Sequence, residues 1–533
     1  LNDLDNKVKG FDNSDDVING QGGNDILWGL SGDDLLRGGT GDDLLVGGAG
    51  IDQLDGGEGS DTADLSDIET GVNANLSVGT FSYPNELGVT VTEIIRNIEN
   101  IIGTQFGDIL TGNQAANRLE GGNGDDRLFS GNGNDTLLGG DGDDWLAGGA
   151  GIDLLDGGDG FDLALLGDLP SGVRADLNTD QMTYQDATGN IITEIIRNIE
   201  GITSGEFNDE LIGDAGNNRF DGRGGNDILR GGLGDDYFLG GAGIDFIDGG
   251  AGFDTVNLVE DFNFGVSVNL STGTVIYNAM GSTITETILN IESVIATQFD
   301  DEVIGNDADN LIYGLGGNDR LFGGDGNDGL VGGDGIDFMD GGAGFDTANL
   351  ALINRALVAD LNSGTVTYTD AAGTSVTEII LNIEAIIATS FNDTLIGNDG
   401  NNRLNGGAGS DRLFGGAGND DLIGGEGDDI LAGGSGSLNY LRGDSGSDIF
   451  VLATDGFNQV LDFEPGIDKI GLSGNLTVNQ FKIEQGTGVN SSSTWIKLAS
   501  DNTNLMLLNG VQASALTTAI FLPASSYPSS LLA

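Results

Sequence analysis

The chain has 533 residues, 96 of them glycine, with 85 acidic against 19 basic residues and a formal charge of −66; cysteine and histidine are absent. These counts exclude a disulfide scaffold, a thiol nucleophile, a histidine base and zinc sites built on nitrogen or sulfur. So negative a charge opposes binding to nucleic acid or anionic lipid, and no run of about twenty apolar residues is present to span a membrane.

The first residue is Leu rather than Met, which reads as a fragment or a processed product. From there acidic residues recur every nine positions: Asp16, Asp25, Asp34, Asp43, Asp52 and Asp61 mark a first array at residues 1–63, cut short at its start on the fragment reading. A spacer at 64–105 separates it from a second array at 106–164, whose register runs Asp108, Asn117, Asp126, Asp135, Asp144, Asp153, Asp162. A spacer at 165–206 leads to a third array at 207–256, with Asp209, Asn218, Asp227, Asp236, Asp245 and Asp254. A spacer at 257–298 precedes a fourth at 299–348, with Asp301, Asn310, Asp319, Asp328, Asp337 and Asp346. After a last spacer at 349–390, the fifth array at 391–448 runs Asp393, Asn402, Asp411, Asp420, Asp429, breaks at Leu438 and returns one residue late at Asp448.

Sixteen units carry the full pattern G-G-x-G-x-D, as in Gly139-Gly140-Asp141-Gly142-Asp143-Asp144. Two positions after nearly every acid stands an apolar residue, such as Leu27, Leu36, Leu128, Leu137 or Leu321. Each unit reads as a tight turn of about six residues and a strand of about three with one side chain pointing inward. Such a strand is too short to stand alone, so the units must stack as a solenoid.

Stacking sets the carboxylates about 4.8 Å apart. Uncompensated, they repel, so the pattern calls for a counter-ion. Donors that are all oxygen select a hard cation of flexible coordination, and calcium fits better than magnesium.

From the last acid of one array to the first of the next is 47 residues each time. Within each spacer a period-two stretch (Val72-x-Ala74-x-Leu76 and its copies) leads through a turn to a strand ending in Tyr83, Tyr184, Tyr277 or Tyr368, which predicts a hairpin. Thr-Glu-Ile-Ile-Arg-Asn-Ile-Glu follows at 92–99 and 193–200, with variants at 285–292 and 377–384. Four near-identical copies speak against Glu93 and Glu99 as a catalytic pair and for packing or an added ligand at the array edge. The spacer is expected to cover the open end of its array. After Asp448 the glycine rhythm stops, and stretches such as Trp495-Ile496-Lys497-Leu498 and Leu505-Met506-Leu507-Leu508 predict an antiparallel β cap within 449–533. Gly-x-Gly-x-x-Gly recurs only as a by-product of the nine-residue period, with no βαβ unit around it to bind a nucleotide.

The repeats resemble the RTX family, the hemolysin-type calcium-binding repeats. The resemblance implies an all-β fold in which two nonapeptides form each turn of a right-handed parallel β-roll, with arrays separated by hairpin-containing spacers and closed by the antiparallel cap. It implies calcium, in multiple ions, held between turns by the aspartates and by glycine-turn carbonyls. Carried over by position, the metal candidates of the complete motifs are Asp43, Asp52, Asp61, Asp126, Asp144, Asp153, Asp162, Asp236, Asp245, Asp254, Asp328, Asp337, Asp346, Asp411, Asp420 and Asp429. Asp25, Asp34, Asp135, Asp227 and Asp319 each lack one motif glycine and are expected to be weaker. Asn117, Asn218, Asn310 and Asn402 look like opening coils with weak sites or none. The resemblance further implies type I secretion machinery as a partner, an uncleaved export signal in the C-terminal segment, and an extracellular or cell-surface location. Two functions are consistent with this: a secreted calcium-binding structural protein whose repeats fold on binding extracellular calcium, or the calcium-binding and secretion region of a larger exoenzyme, toxin or adhesin whose active domain precedes residue 1. No constellation of residues supports catalysis within the chain itself.

Overall fold

The computed structural model describes residues 3–85, 87–259, 262–279 and 281–526. The last seven residues of the expected export segment, 527–533, lie outside the described residues. Among those described, the regular structure is short β-strands plus a few single-turn 3₁₀ segments after residue 477. Among the described residues no helix is long and apolar enough to cross a membrane. By contacts the chain divides into two compact units, Leu1–Asn257 with Glu286–Ile291 and Leu258–Thr285 with Glu292–Ala533.

In the first unit the nonapeptides wind into coils of two. Ile26–Ser31 pairs in parallel with Leu44–Ala49, setting Leu27 beside Leu45 eighteen residues on. The intervening Leu35–Thr40 pairs with Gln53–Glu58 in a second sheet. Alternate nonapeptides thus build two sheets, and the apolar residue two places after each aspartate, most often leucine, points between them. Leu27, Leu36, Leu45, Leu119, Leu128, Leu137, Leu146 and Leu155 are fully buried. A leucine buried in this way contributes roughly 1.5–3 kcal/mol. It comes only once per nine residues, so a coil depends on its neighbours. Many strands are longer than the expected three residues. Thr136–Asp141 continues through its glycines, pairing Gly140 with Gly158.

The spacers are woven into the ladders instead of lying across an open end, which corrects the expectation of a cover. Asn73–Asn75, Thr80–Pro84 and Thr90–Arg96 form an antiparallel meander. Its outer strands rejoin the parallel ladder, Ile94–Arg96 beside Gln53–Asp55 and Asn73–Asn75 beside Ile109–Thr111. Meanwhile the other sheet runs on uninterrupted, Thr62–Asp64 pairing with Asn100–Ile102. Free strand edges are costly, and this arrangement leaves none between the two arrays. The spacer after the second array repeats the arrangement with the two sheets exchanged.

The second unit follows the same rules. Leu311–Gly316 pairs with Gly329–Asp334 and Arg320–Asp325 with Phe338–Ala343. The break at Leu438 is a one-residue insertion that the turn absorbs: Asp421 pairs with Tyr440, nineteen on, and buried Asn439 takes the aspartate position. Beyond Asp448 the parallel ladders persist through Ile449–Leu452, Lys469–Leu472 and Phe521–Leu522. The predicted antiparallel strands are present as Phe481–Gln485, Thr494–Leu498 and Asn504–Leu508.

Candidate metal centres

The 21 predicted aspartates are all buried, none more than 3% exposed. Each stands at the turn-to-strand junction, held there by a link to the neighbouring coil. Asp126 N–H donates to Asp144 Oδ1 at 2.8 Å, and Asp144 N–H donates to Asp162 Oδ1 at 2.9 Å. The same link joins Asp25 to Asp43, Asp227 to Asp245, Asp319 to Asp337 and Asp411 to Asp429 at 2.7–3.0 Å. The aspartates thus form files along each array, one file per sheet.

Only Oδ1 is used in this way. From Asp25 to Asp245 and from Asp319 to Asp429, the Oδ2 of every predicted aspartate is buried with no hydrogen-bond partner. A buried, unpaired carboxylate oxygen is among the costliest groups a protein can hold. Burial pushes Asp126, Asp227, Asp319 and Asp411 up to about 8, with neighbouring aspartates adding to the rise and the backbone N–H opposing it. Asp162 and Asp429 are raised to about 7, and Asp144, Asp153, Asp337 and Asp420 to about 6, for the same first reason.

The glycines explain what surrounds the orphaned oxygen. Before Asp144, Gly140 and Gly142 sit in the left-handed region at φ 124° and 131°. Gly139 lies outside that region, but a Cβ on it would collide with Asp144 Oδ2 and with the carbonyl oxygen of Gly157 in the next coil. Gly38, Gly121, Gly323 and Gly406 stand in the same relation to Asp43, Asp126, Asp328 and Asp411. Each first glycine therefore keeps open a cradle where a carboxylate oxygen and a carbonyl oxygen from successive coils converge. Among the described residues no three acidic or other metal-binding side chains gather on one point, so the further donors are backbone carbonyls. An all-oxygen set with one carboxylate fits calcium, which tolerates irregular coordination, better than magnesium.

The five incomplete motifs keep the aspartate geometry. Gln21, Leu30, Arg223 and Leu315 replace the second glycine yet still adopt positive φ, from 58° to 82°. Asp135 differs, because Ser130 replaces its first glycine; the Ser130 hydroxyl donates to Gly148 O at 2.8 Å from within the cradle. The opening residues need no ion. Asn117 Oδ1 accepts from Asn113 N–H at 2.7 Å, and its Nδ2 donates to Glu99 O at 2.8 Å. Asp108, in register but outside the predicted set, has both oxygens occupied by Val72 N–H and Thr104 N–H.

Sequence reasoning left the spacer glutamates undecided. Glu93, Glu194 and Glu378 are buried, and burial raises them to about 7, 8 and 7. Tyr83 and Tyr368 donate to Glu93 and Glu378 at 2.7 and 2.6 Å. The recurrence of Tyr nine or ten residues before Glu in all four spacers was the available signal.

The pattern of the RTX calcium-binding nonapeptide repeat matches residues 12–36, 37–65, 102–137, 138–164, 203–238, 239–258, 295–330, 331–349, 387–422, 406–437 and 423–453, together more than half of the chain. Among curated proteins no match is found. Among solved structures, the extracellular lipase LipA from Serratia marcescens is 23% identical over 42% of this chain and 40% of its own, with a TM-score of 0.15. The AlgE6R3 subunit of the Azotobacter vinelandii mannuronan C5-epimerase is 19% identical over 44% of this chain and 83% of its own, with a TM-score of 0.12. Repeats of this kind are calcium-binding motifs, and the nine-residue register, the paired sheets and the pattern match agree: the chain belongs to the RTX calcium-binding repeat family.

Proposed function

We propose that the chain is a secreted calcium-binding structural protein whose arrays fold when extracellular calcium enters between their coils. The observation that carries this is the file of buried Oδ2 atoms without partners. Without a cation each costs the fold several kilocalories or must hold a proton. With one, the same atoms become ligands and binding free energy becomes folding free energy. Asp144, Asp153 and their counterparts supply the charge; the glycine turns supply carbonyls and keep the cradle open. The aspartate N–H links orient Oδ1, so that Oδ2 faces the cradle.

Sites of extracellular modules bind at roughly 10⁻⁴–10⁻³ M. At cytosolic calcium such a chain stays extended by self-repulsion, a form suited to passage through a type I export channel, with the C-terminal segment as its signal. This reading assigns no catalysis to these residues. Circular dichroism of the intact chain tests it: β signal should appear cooperatively with calcium and not with magnesium. A fully developed β spectrum in excess chelator at neutral pH would overturn it.

A further inference from the structure

At the end of an array the next nonapeptide is missing, and the spacer stands in its place. Asp61 N–H donates to Glu99 Oε2 at 3.0 Å, Asp162 to Glu200 Oε2 at 2.8 Å and Asp346 to Glu384 Oε2 at 3.0 Å. Inside an array, the cradle of Gly38, Gly139 or Gly323 is closed by the carbonyl of Gly56, Gly157 or Gly341. The cradles of these last three glycines are closed by the carbonyls of Asn97, Asn198 and Asn382. These asparagines take left-handed φ of 49°, and each is pinned through Nδ2 to Asp55, Asp156 or Asp340 at 2.6–2.7 Å. The spacer thus rebuilds both the acceptor and the carbonyl of a coil it does not contain.

In the other sheet, Glu93 and Glu194 lie beside the backbone N–H of Asp52 and Asp153, the place that the next aspartate takes elsewhere. Glu194 is 2% exposed, and its Oε1 has no hydrogen-bond partner, as Oδ2 has none in the array aspartates. It lines a small enclosed cavity with Gly148, Gly149, Asp168 and the apolar side chains of Leu155, Leu165, Leu166 and Met182, and a Cβ on Gly148 would meet Asp153 Oδ2 at 2.6 Å. Tyr184 stands beside the Glu194 carboxylate, and its hydroxyl donates to Gly151 O at 3.0 Å. Tyr83 and Tyr368, which do bond their glutamates, also reach the equivalent carbonyls of Gly50 and Gly335 at 3.4 and 2.9 Å.

We infer that the Thr-Glu-Ile-Ile-x-Asn-Ile-Glu segment is itself a calcium-binding element: Asp153 Oδ2 and Glu194 Oε1 share a calcium ion at the end of the second array, as do Asp52 with Glu93 and Asp337 with Glu378. This rests on the nonapeptide aspartates binding calcium. Each of these three spacers then adds a site that the nonapeptide motif does not count, and the hydroxyl of Tyr83 or Tyr368 moves from glutamate to carbonyl when the ion arrives.

Calcium titration calorimetry on the intact chain reads the number of ions. Glu194→Gln should bind one ion fewer, and joint replacement of Glu93, Glu194 and Glu378 by Gln should bind three fewer. Unchanged counts overturn the inference. Should the variants fail to fold, crystals of the unaltered chain grown with terbium give a second reading: an anomalous peak between Asp153 and Glu194 supports the site, and peaks confined to Asp126, Asp144 and their like overturn it. Calcium bound at those aspartates but not at Glu194 removes only this inference, whereas no calcium anywhere removes the proposed function as well.

Discussion

Asp126 and Asp144 lie in successive coils and are joined by one hydrogen bond, Asp126 N–H to Asp144 Oδ1 at 2.8 Å. The bond leaves Asp144 Oδ2 buried beside Gly139 with nothing to accept. The same carboxylate therefore serves as a structural acceptor and as a free ligand, and the two roles can be separated by substitution.

Asp144→Asn keeps an oxygen for the Asp126 N–H but removes the charge. A bond to a charged acceptor outweighs a neutral one by about 1 kcal/mol, so the calcium midpoint for folding should rise at least about fivefold. Asp144→Ala, which also strands the buried N–H, should raise it further. Asp337→Ala should do the same in the second unit. Calcium titration followed by circular dichroism reads all three, and an unmoved midpoint removes the residue from the ligand set.

Gly139→Ala places a methyl group in the cradle. Overpacking of this kind costs about 1–3 kcal/mol, and here it also blocks a ligand oxygen. The calcium-loaded protein should melt several degrees lower and lose one bound ion. Retention of the full ion count would show that Gly139 is needed for the backbone alone.

Ser130→Gly is expected to act in the opposite sense. It removes the hydroxyl bonded to Gly148 O and restores the complete motif before Asp135. Calcium affinity of the second array should increase. A weaker array would mean that the serine hydroxyl is itself a ligand.

The response to pH should differ in sign with and without calcium. Burial holds Asp144 and Asp337 near 6, Asp162 and Asp429 near 7, and Asp126 and Asp411 near 8, above the ordinary value of about 3.9. The folded, metal-free chain therefore binds protons that the unfolded chain releases. Its stability is greatest below pH ~4 and is lost as pH rises through 6 to 8. In chelator, β signal should grow on acidification from pH 8 to 5. With calcium the trend reverses, since protons and ions compete for Oδ2, and the calcium midpoint should climb as pH falls over that range. A midpoint independent of pH would place the ions elsewhere.

Much of this was legible in the sequence because repetition amplifies a weak local signal. One Gly-Gly-x-Gly-x-Asp means little; sixteen in one register specify the turn, the inward leucine and the buried acid. All 21 predicted aspartates are buried as a result. The spacers were harder. Their hairpins were readable from alternation around Val72 and Tyr83, but the pairing of Ile94 with Gln53, or of Asn100 with Thr62, spans about forty residues and leaves no periodic trace. The role of Asn97 was hidden too, since it acts through a backbone carbonyl that any residue carries. At Leu438 the register looked broken because a count along the chain cannot see a turn absorb one residue.

The coil of two nonapeptides also governs how such a chain can change in length during evolution. Removing eighteen residues from an array returns every later leucine and aspartate to its own sheet, so whole coils can be gained or lost by slippage between near-identical gene segments. Removing nine exchanges the sheets for everything downstream, which the arrays tolerate because their faces are alike; the meanders after the first and second arrays already sit on opposite faces. Most other length changes strike the core, and the insertion beside Asn439 survives because it falls in a turn.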